Sequence, residues 1–85
     1  MWQTYIVECA DKSLYAGIAK DAKRRTVEHN SSLLGAKYTR ARRPVRLVYW
    51  CVCQNRSEAA KKEYQIKKMK RSEKIGLIMA KNNNI

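Results

Sequence analysis

Arg25 and His29 stand four residues apart, a spacing that puts both on one face of a helix. Ala22 and Thr26 lie close to that face and should turn inward, so the Arg–His pair flanks the core side of the helix. Gly17, just upstream, lacks a side chain and lets a backbone or a phosphate come close. Glu63 follows Ala59 by four residues and precedes Ile66 by three, so an acid falls inside an apolar stripe. A buried lone carboxylate is costly, and Glu63 therefore requires a cation, a metal or access to solvent. In Lys37-Tyr38-Thr39-Arg40-Ala41-Arg42-Arg43 an aromatic ring is interleaved with four cations. That mixture suits a nucleic-acid strand, with Lys37, Arg40, Arg42 and Arg43 for phosphates and Tyr38 for a base or sugar. Plainer readings stand beside these: a solvated basic helix with a capping His, a mobile basic loop with Tyr38 on the core, and a Glu63 salt bridge.

The elements that must position these residues follow from periodicity. Thr4–Cys9 is rich in β-branched and aromatic residues and reads as a strand, with Tyr5, Val7 and Cys9 on one face and Ile6 and Glu8 on the other. Asp11-Lys12-Ser13 makes a turn into a second strand, Leu14–Ile18, which carries Tyr15. Asp21 caps a helix reaching about Asn30, and Ser31–Arg43 reads as a loop with at most one irregular turn. Leu47–Cys53 is the most apolar run and is expected to be a central strand covered on both faces. Asn55, with Glu58 three residues on, opens a helix from about Arg56 to Met69. Ser72 is expected to cap a last helix, Glu73 to about Ala80, whose Ile75, Leu77, Ile78 and Met79 close the core. The fold class is α+β, an α/β sandwich of three antiparallel strands and flanking helices in the order β-β-α-β-α-α. Residues 1–85 are expected to form one domain, with a core over about 2–80 and a flexible tail at 81–85.

Eighty-five residues suffice for one small core. Nineteen Lys and Arg against seven Asp and Glu leave a net charge of +12, which points to a polyanion, nucleic acid before an anionic membrane. No apolar run approaches a membrane span and no signal-peptide pattern is visible, so the expected location is the cytoplasm. Cys9, Cys51 and Cys53 read as reduced, mostly buried strand residues, because one histidine and three cysteines make a poor zinc set.

The ordered set of two strand tyrosines, a helical Arg and His, and an inward Glu on a later helix resembles the GIY-YIG nuclease family. The first hallmark, Gly-Ile-Tyr, stands here as Gln3-Thr4-Tyr5, and the second, Tyr-Ile-Gly, as Tyr15-Ala16-Gly17. Arg25 follows Tyr15 by ten residues, the family's spacing for its catalytic Arg. His29 matches the His found four residues later in several members, and Glu63 matches the metal-binding Glu. The stretches Leu14–Ile18, Ala36–Arg40 and Glu63–Lys68 resemble the small stand-alone bacterial members of the YhbQ type. Ile18 departs from the Lys that the related DNA-excision nuclease UvrC carries there.

The resemblance implies phosphodiester hydrolysis with one divalent cation, Mg²⁺ or Mn²⁺, held by Glu63 with water and substrate oxygens. Arg25 would stabilise charge on the phosphate, and Tyr5, or alternatively Tyr15, would activate water as a phenolate favoured by the cationic surroundings. His29 would orient a tyrosine or the phosphate, and Gly17 would let strand two approach the site. The implied function is DNA endonuclease, in repair or processing; a separate reading is a small interaction protein that works with a partner supplying targeting. The competing reading is a non-catalytic module that binds DNA or structured RNA. An inward Glu favours the enzyme, because binding alone does not need one.

Overall fold

The computed structural model describes residues 1–31 and 36–83. Three antiparallel strands, β1 (Trp2–Glu8), β2 (Leu14–Ala19) and β3 (Arg46–Cys53), form one sheet in the order β2-β1-β3. Helix α1 (Ala22–Ser31) and the single-turn helix α2 (Lys37–Arg40) precede β3; α3 (Arg56–Lys68) and α4 (Arg71–Asn83) follow it. The α+β class and the order of the longer elements are those expected, with α2 the addition inside the expected loop.

The alternation along β1 divides the core into two layers. Tyr5, Val7 and Cys9 pack with Ala22 of α1 and with Val45, while Ile6 packs on the other side with Ala16, Tyr49 and Ile66 of α3. Helices therefore cover both faces, and β1 is the central strand, buried from Thr4 to Val7. The expectation of a central Leu47–Cys53 strand is corrected. β3 is an edge strand whose apolar run faces two helical layers, Trp50 toward α1 and Tyr49 toward α3. An apolar run reports cover on both faces, not the number of strand neighbours. A bulge between Ile6 and Val7 adds one residue to β3 and preserves this division, since Ile6 pairs with Tyr49 and Val7 with Leu47.

Local chemistry explains the boundaries. In the hairpin, the Asp11 carboxylate accepts from the Ser13 amide (3.0 Å) and hydroxyl (2.6 Å), and Lys12 adopts φ 71°. Asp21 Oδ1 accepts the Arg24 amide at 3.2 Å, and the Asn55 side chain accepts the Glu58 amide at 2.8 Å, so both expected caps are present. Ser72 is not a cap. α4 starts at Arg71, and the Glu73 carboxylate reaches back to accept the Lys70 amide at 2.9 Å, one half of a capping box; the other half needs an accepting side chain, which Lys70 lacks. α4 also extends beyond Ala80 to Asn83, where a flexible tail was expected; residues 84–85 and the loop residues 32–35 lie outside the described residues. Leu77 and Ile78 pack on the core as expected, but Ile75 and Met79 are exposed.

Candidate active site

Tyr5 sits mid-strand in β1, and its hydroxyl lies over Gly17, its partner on β2. A Cβ at position 17 would fall 2.6 Å from Tyr5 Oη and 2.8 Å from Cζ, inside any tolerable contact. Gly17 is thus required by the tyrosine ring itself, which uses the space the sequence suggested for a backbone or a phosphate.

His29 is fully buried, not a solvated capping residue. Its Nε2 is 2.8 Å from Tyr5 Oη, and its Nδ1 meets Thr39 Oγ1 at 2.9 Å and the Ala36 amide at 3.3 Å. Burial above all, and then the charge of Arg25, push the imidazole down to about 4, so it is neutral at neutral pH. Burial pushes the Tyr5 hydroxyl up to about 12; the Arg25 guanidinium draws it down, while Tyr15 and Glu63 push it up. The resting form of Tyr5 is therefore the neutral phenol. Desolvation of the buried ring thus opposes the phenolate that Arg25 favours.

Arg25 comes from α1, and its Nη1 donates to Glu28 Oε1 at 2.9 Å; both side chains are half-buried. Its guanidinium also acts on Tyr5, which places it beside the hydroxyl. The Tyr15 ring meets His29 edge-on at 5.7 Å and stacks on Tyr38 at 5.7 Å. Tyr5, Tyr15, Arg25 and His29 thus form one connected cluster on the α1 side of the sheet.

Glu63 belongs to α3, in the opposite layer, between the buried Ala59 and Ile66. Its carboxylate is 23% exposed and pairs with Lys67 at 3.1 Å, and the Lys67 ammonium stands 5.9 Å from the centre of the Tyr15 ring. Its charge is felt at Tyr5. Lys67 thus links Glu63 of α3 to Tyr15 on the edge strand β2. Among the described residues no three His, Cys, Asp or Glu side chains gather into a metal cage. One partly exposed carboxylate is still a suitable donor for a hard cation such as Mg²⁺ or Mn²⁺, which keeps several waters; it does not suit zinc.

The basic stretch is divided. Lys37 and Arg40 are exposed, while Arg42 lies 3.9 Å over the Tyr38 ring and pairs with Asp11 at 3.1 Å. The Arg43 guanidinium is half-buried and donates to the His29 carbonyl. Tyr38 therefore leans on Tyr15, as the plainer reading had it, and Arg42 and Arg43 hold the loop in place. Sequence reasoning missed three contributors. Glu28 was accessible from its spacing to Arg25. Thr39, and Asn30, whose amide grips both the Val45 carbonyl (2.9 Å) and amide (2.7 Å), act across the chain and leave no periodic signal.

A model of the GIY-YIG catalytic domain matches residues 1–76. The UPF0213 protein of Desulfotalea psychrophila is 54% identical over 79 residues, covering 93% of this chain and 72% of that protein. Its counterpart in Staphylococcus saprophyticus is 53% identical over 74 residues, 87% of this chain and 89% of the other. The solution NMR structure of the UPF0213 protein BH0048 of Bacillus halodurans superposes with a TM-score of 0.62 at 40% identity, over 99% of this chain and 89% of that one. With nine-tenths of the length accounted for and the tyrosine, arginine and glutamate positions standing in family order, the chain belongs to the GIY-YIG family.

Proposed function

We propose that the protein is a divalent-cation-dependent endonuclease that hydrolyses nucleic-acid phosphodiesters, with DNA the first substrate class. The observation that carries this reading is the cluster in which Arg25 and His29 both address the Tyr5 hydroxyl, while Glu63 arrives from the other layer at the same sheet edge. A pure binding surface has no need of a buried Tyr–His pair.

Arg25 is the group that meets the scissile phosphate. Glu28 already fixes one of its nitrogens, and its remaining donors serve Tyr5 and a phosphate oxygen. Tyr5 takes the proton from the attacking water. Its hydroxyl must first release its own proton to solvent, which its raised pKa opposes and the Arg25 charge assists, and the proton then taken from water restores the phenol. His29, neutral and immobile, orients that hydroxyl. Tyr15 is the alternative base and otherwise supports the His29 ring. Glu63 would hold the divalent cation, which when bound would supply Lewis-acid charge for the phosphate and leaving oxygen and would offset the effect of the Glu63 charge on Tyr5. Lys67 is no obstacle, since its ammonium is half-exposed and can turn to solvent when a cation takes the carboxylate. A protein partner supplies targeting, and repair or processing of DNA is the proposed setting.

The Glu63–Lys67 pair is also the observation that favours the second reading, a binding module in which Glu63 only ties down its own helix. Incubation with linear, flapped and branched DNA and structured RNA, in Mg²⁺ or Mn²⁺ against EDTA, separates the two. Chelator-sensitive strand scission is expected for the enzyme. Binding to several substrates with scission of none would establish the module.

A further inference from the structure

We propose that Thr39 is a positioning residue that holds the His29 ring in the tautomer with its proton on Nε2. Thr39 is fully buried, and its Oγ1 stands 2.9 Å from His29 Nδ1 and 2.9 Å from the Ala36 carbonyl. That carbonyl already accepts the amides of Thr39 and Arg40, both at 3.1 Å. Nδ1 has a second neighbour, the Ala36 amide at 3.3 Å, which can only donate. Nδ1 is therefore an acceptor. The single Thr39 hydroxyl proton can go to the Ala36 carbonyl or to Nδ1; since that carbonyl already holds two amides, the proposed orientation turns it to Nδ1, the shorter of that nitrogen's two bonds. A proton on Nδ1 would face the Ala36 hydrogen directly and leave that amide without an acceptor.

The consequence appears on the other side of the ring. With Nδ1 bare, Nε2 carries the proton and donates to Tyr5 Oη at 2.8 Å. Tyr5 then receives the bond, and its own proton is free to leave toward the open side of the site. In the opposite tautomer Nε2 would accept, and the Tyr5 proton would be held inward. One methyl-bearing hydroxyl on α2 thus decides whether Tyr5 is prepared to give up its proton. This last step rests on the nuclease reading; the tautomer does not.

The chain has a single histidine, so its imidazole nitrogens can be read without assignment ambiguity. The test is the ¹⁵N spectrum of the labelled imidazole in wild type, Thr39→Val and Thr39→Ser at neutral pH. Wild type and Thr39→Ser are expected to show a protonated Nε2 and a bare Nδ1, and Thr39→Val a shift toward the other tautomer or a mixture. A wild-type ring protonated on Nδ1 overturns the proposal, as does a Thr39→Val spectrum unchanged from wild type. Should Thr39→Val not fold, Thr39→Ala is read by the same criteria. In a cleavage assay Thr39→Val should lower kcat by about tenfold, the worth of one hydrogen bond, with little change in KM and with recovery in Thr39→Ser. A ring that changes tautomer in a protein that never cleaves would uphold Thr39 and defeat the nuclease reading instead.

Discussion

At Tyr5 two physical demands oppose each other. Burial keeps the hydroxyl protonated, while the Arg25 charge favours the anion and His29 holds the oxygen at 2.8 Å. The balance depends on the ring staying over Gly17. Gly17→Ala is expected to push the ring off His29, costing about 1–3 kcal/mol of stability by overpacking and most of the cleavage activity, measured by urea unfolding and by rate. His29 makes stability depend on pH. The folded ring binds its proton only at about pH 4 and the unfolded ring near 6.5, so between those values the unfolded chain holds more protons. Stability due to this ring is complete above about 6.5 and falls as the pH drops through 4, by up to about 3 kcal/mol. Urea titrations at several pH values should show that decline in wild type and its absence in His29→Gln, beyond the change the carboxylates cause in both. Spacing and family pattern single out Tyr5, Tyr15, Arg25, His29 and Glu63, and the structure brings Tyr5, Tyr15 and His29 into contact. Protonation states were not legible in the sequence, because they are set by desolvation, and desolvation depends on which residues the chain folds over them.

Helix α2 combines two tasks in a single turn. Thr39 and Tyr38 face His29 and Tyr15, while Lys37 and Arg40 face solvent. Arg42 is tied to Asp11 of the hairpin and to the Tyr38 carbonyl, and Arg43 to the end of α1. Counting charges in the sequence gives four phosphate contacts and a log–log salt slope near −3.6 from this stretch, but the structure leaves two cations for solvent and a slope of about −1.8. Replacing Lys37 and Arg40 together by Ala should therefore flatten the salt dependence of DNA binding by about that amount. Arg42→Ala should change it little and destabilise the loop. Equal slope changes from both variants would contradict this division. The strands, the caps at Asp21 and Asn55, and the two-layer alternation of β1 were all readable from the sequence, since each depends on neighbours within a turn or a strand. The edge position of β3 and the start of α4 were not. Strand order is set by pairing between distant segments, and Glu73 caps from inside the helix where Ser72 had the more familiar residue type.

For the whole molecule, the sheet separates the layers and its edge rejoins them. α1 carries Arg25 and His29 on one side and α3 carries Glu63 on the other, and the proposed site lies along β2, which has no outer neighbour. The net charge of +12 brings a polyanion to this edge without specifying its sequence. The central claim is that Glu63 serves chemistry rather than affinity or folding. The most direct measurement is the cleavage rate, DNA affinity and melting temperature of wild type and Glu63→Gln in the same Mg²⁺ buffer. The account predicts that Glu63→Gln loses nearly all turnover, binds DNA as well as or better than wild type, and melts within a few degrees of it, because only a weak surface pair with Lys67 is lost. Metal-dependent cleavage at the wild-type rate by folded Glu63→Gln would contradict it.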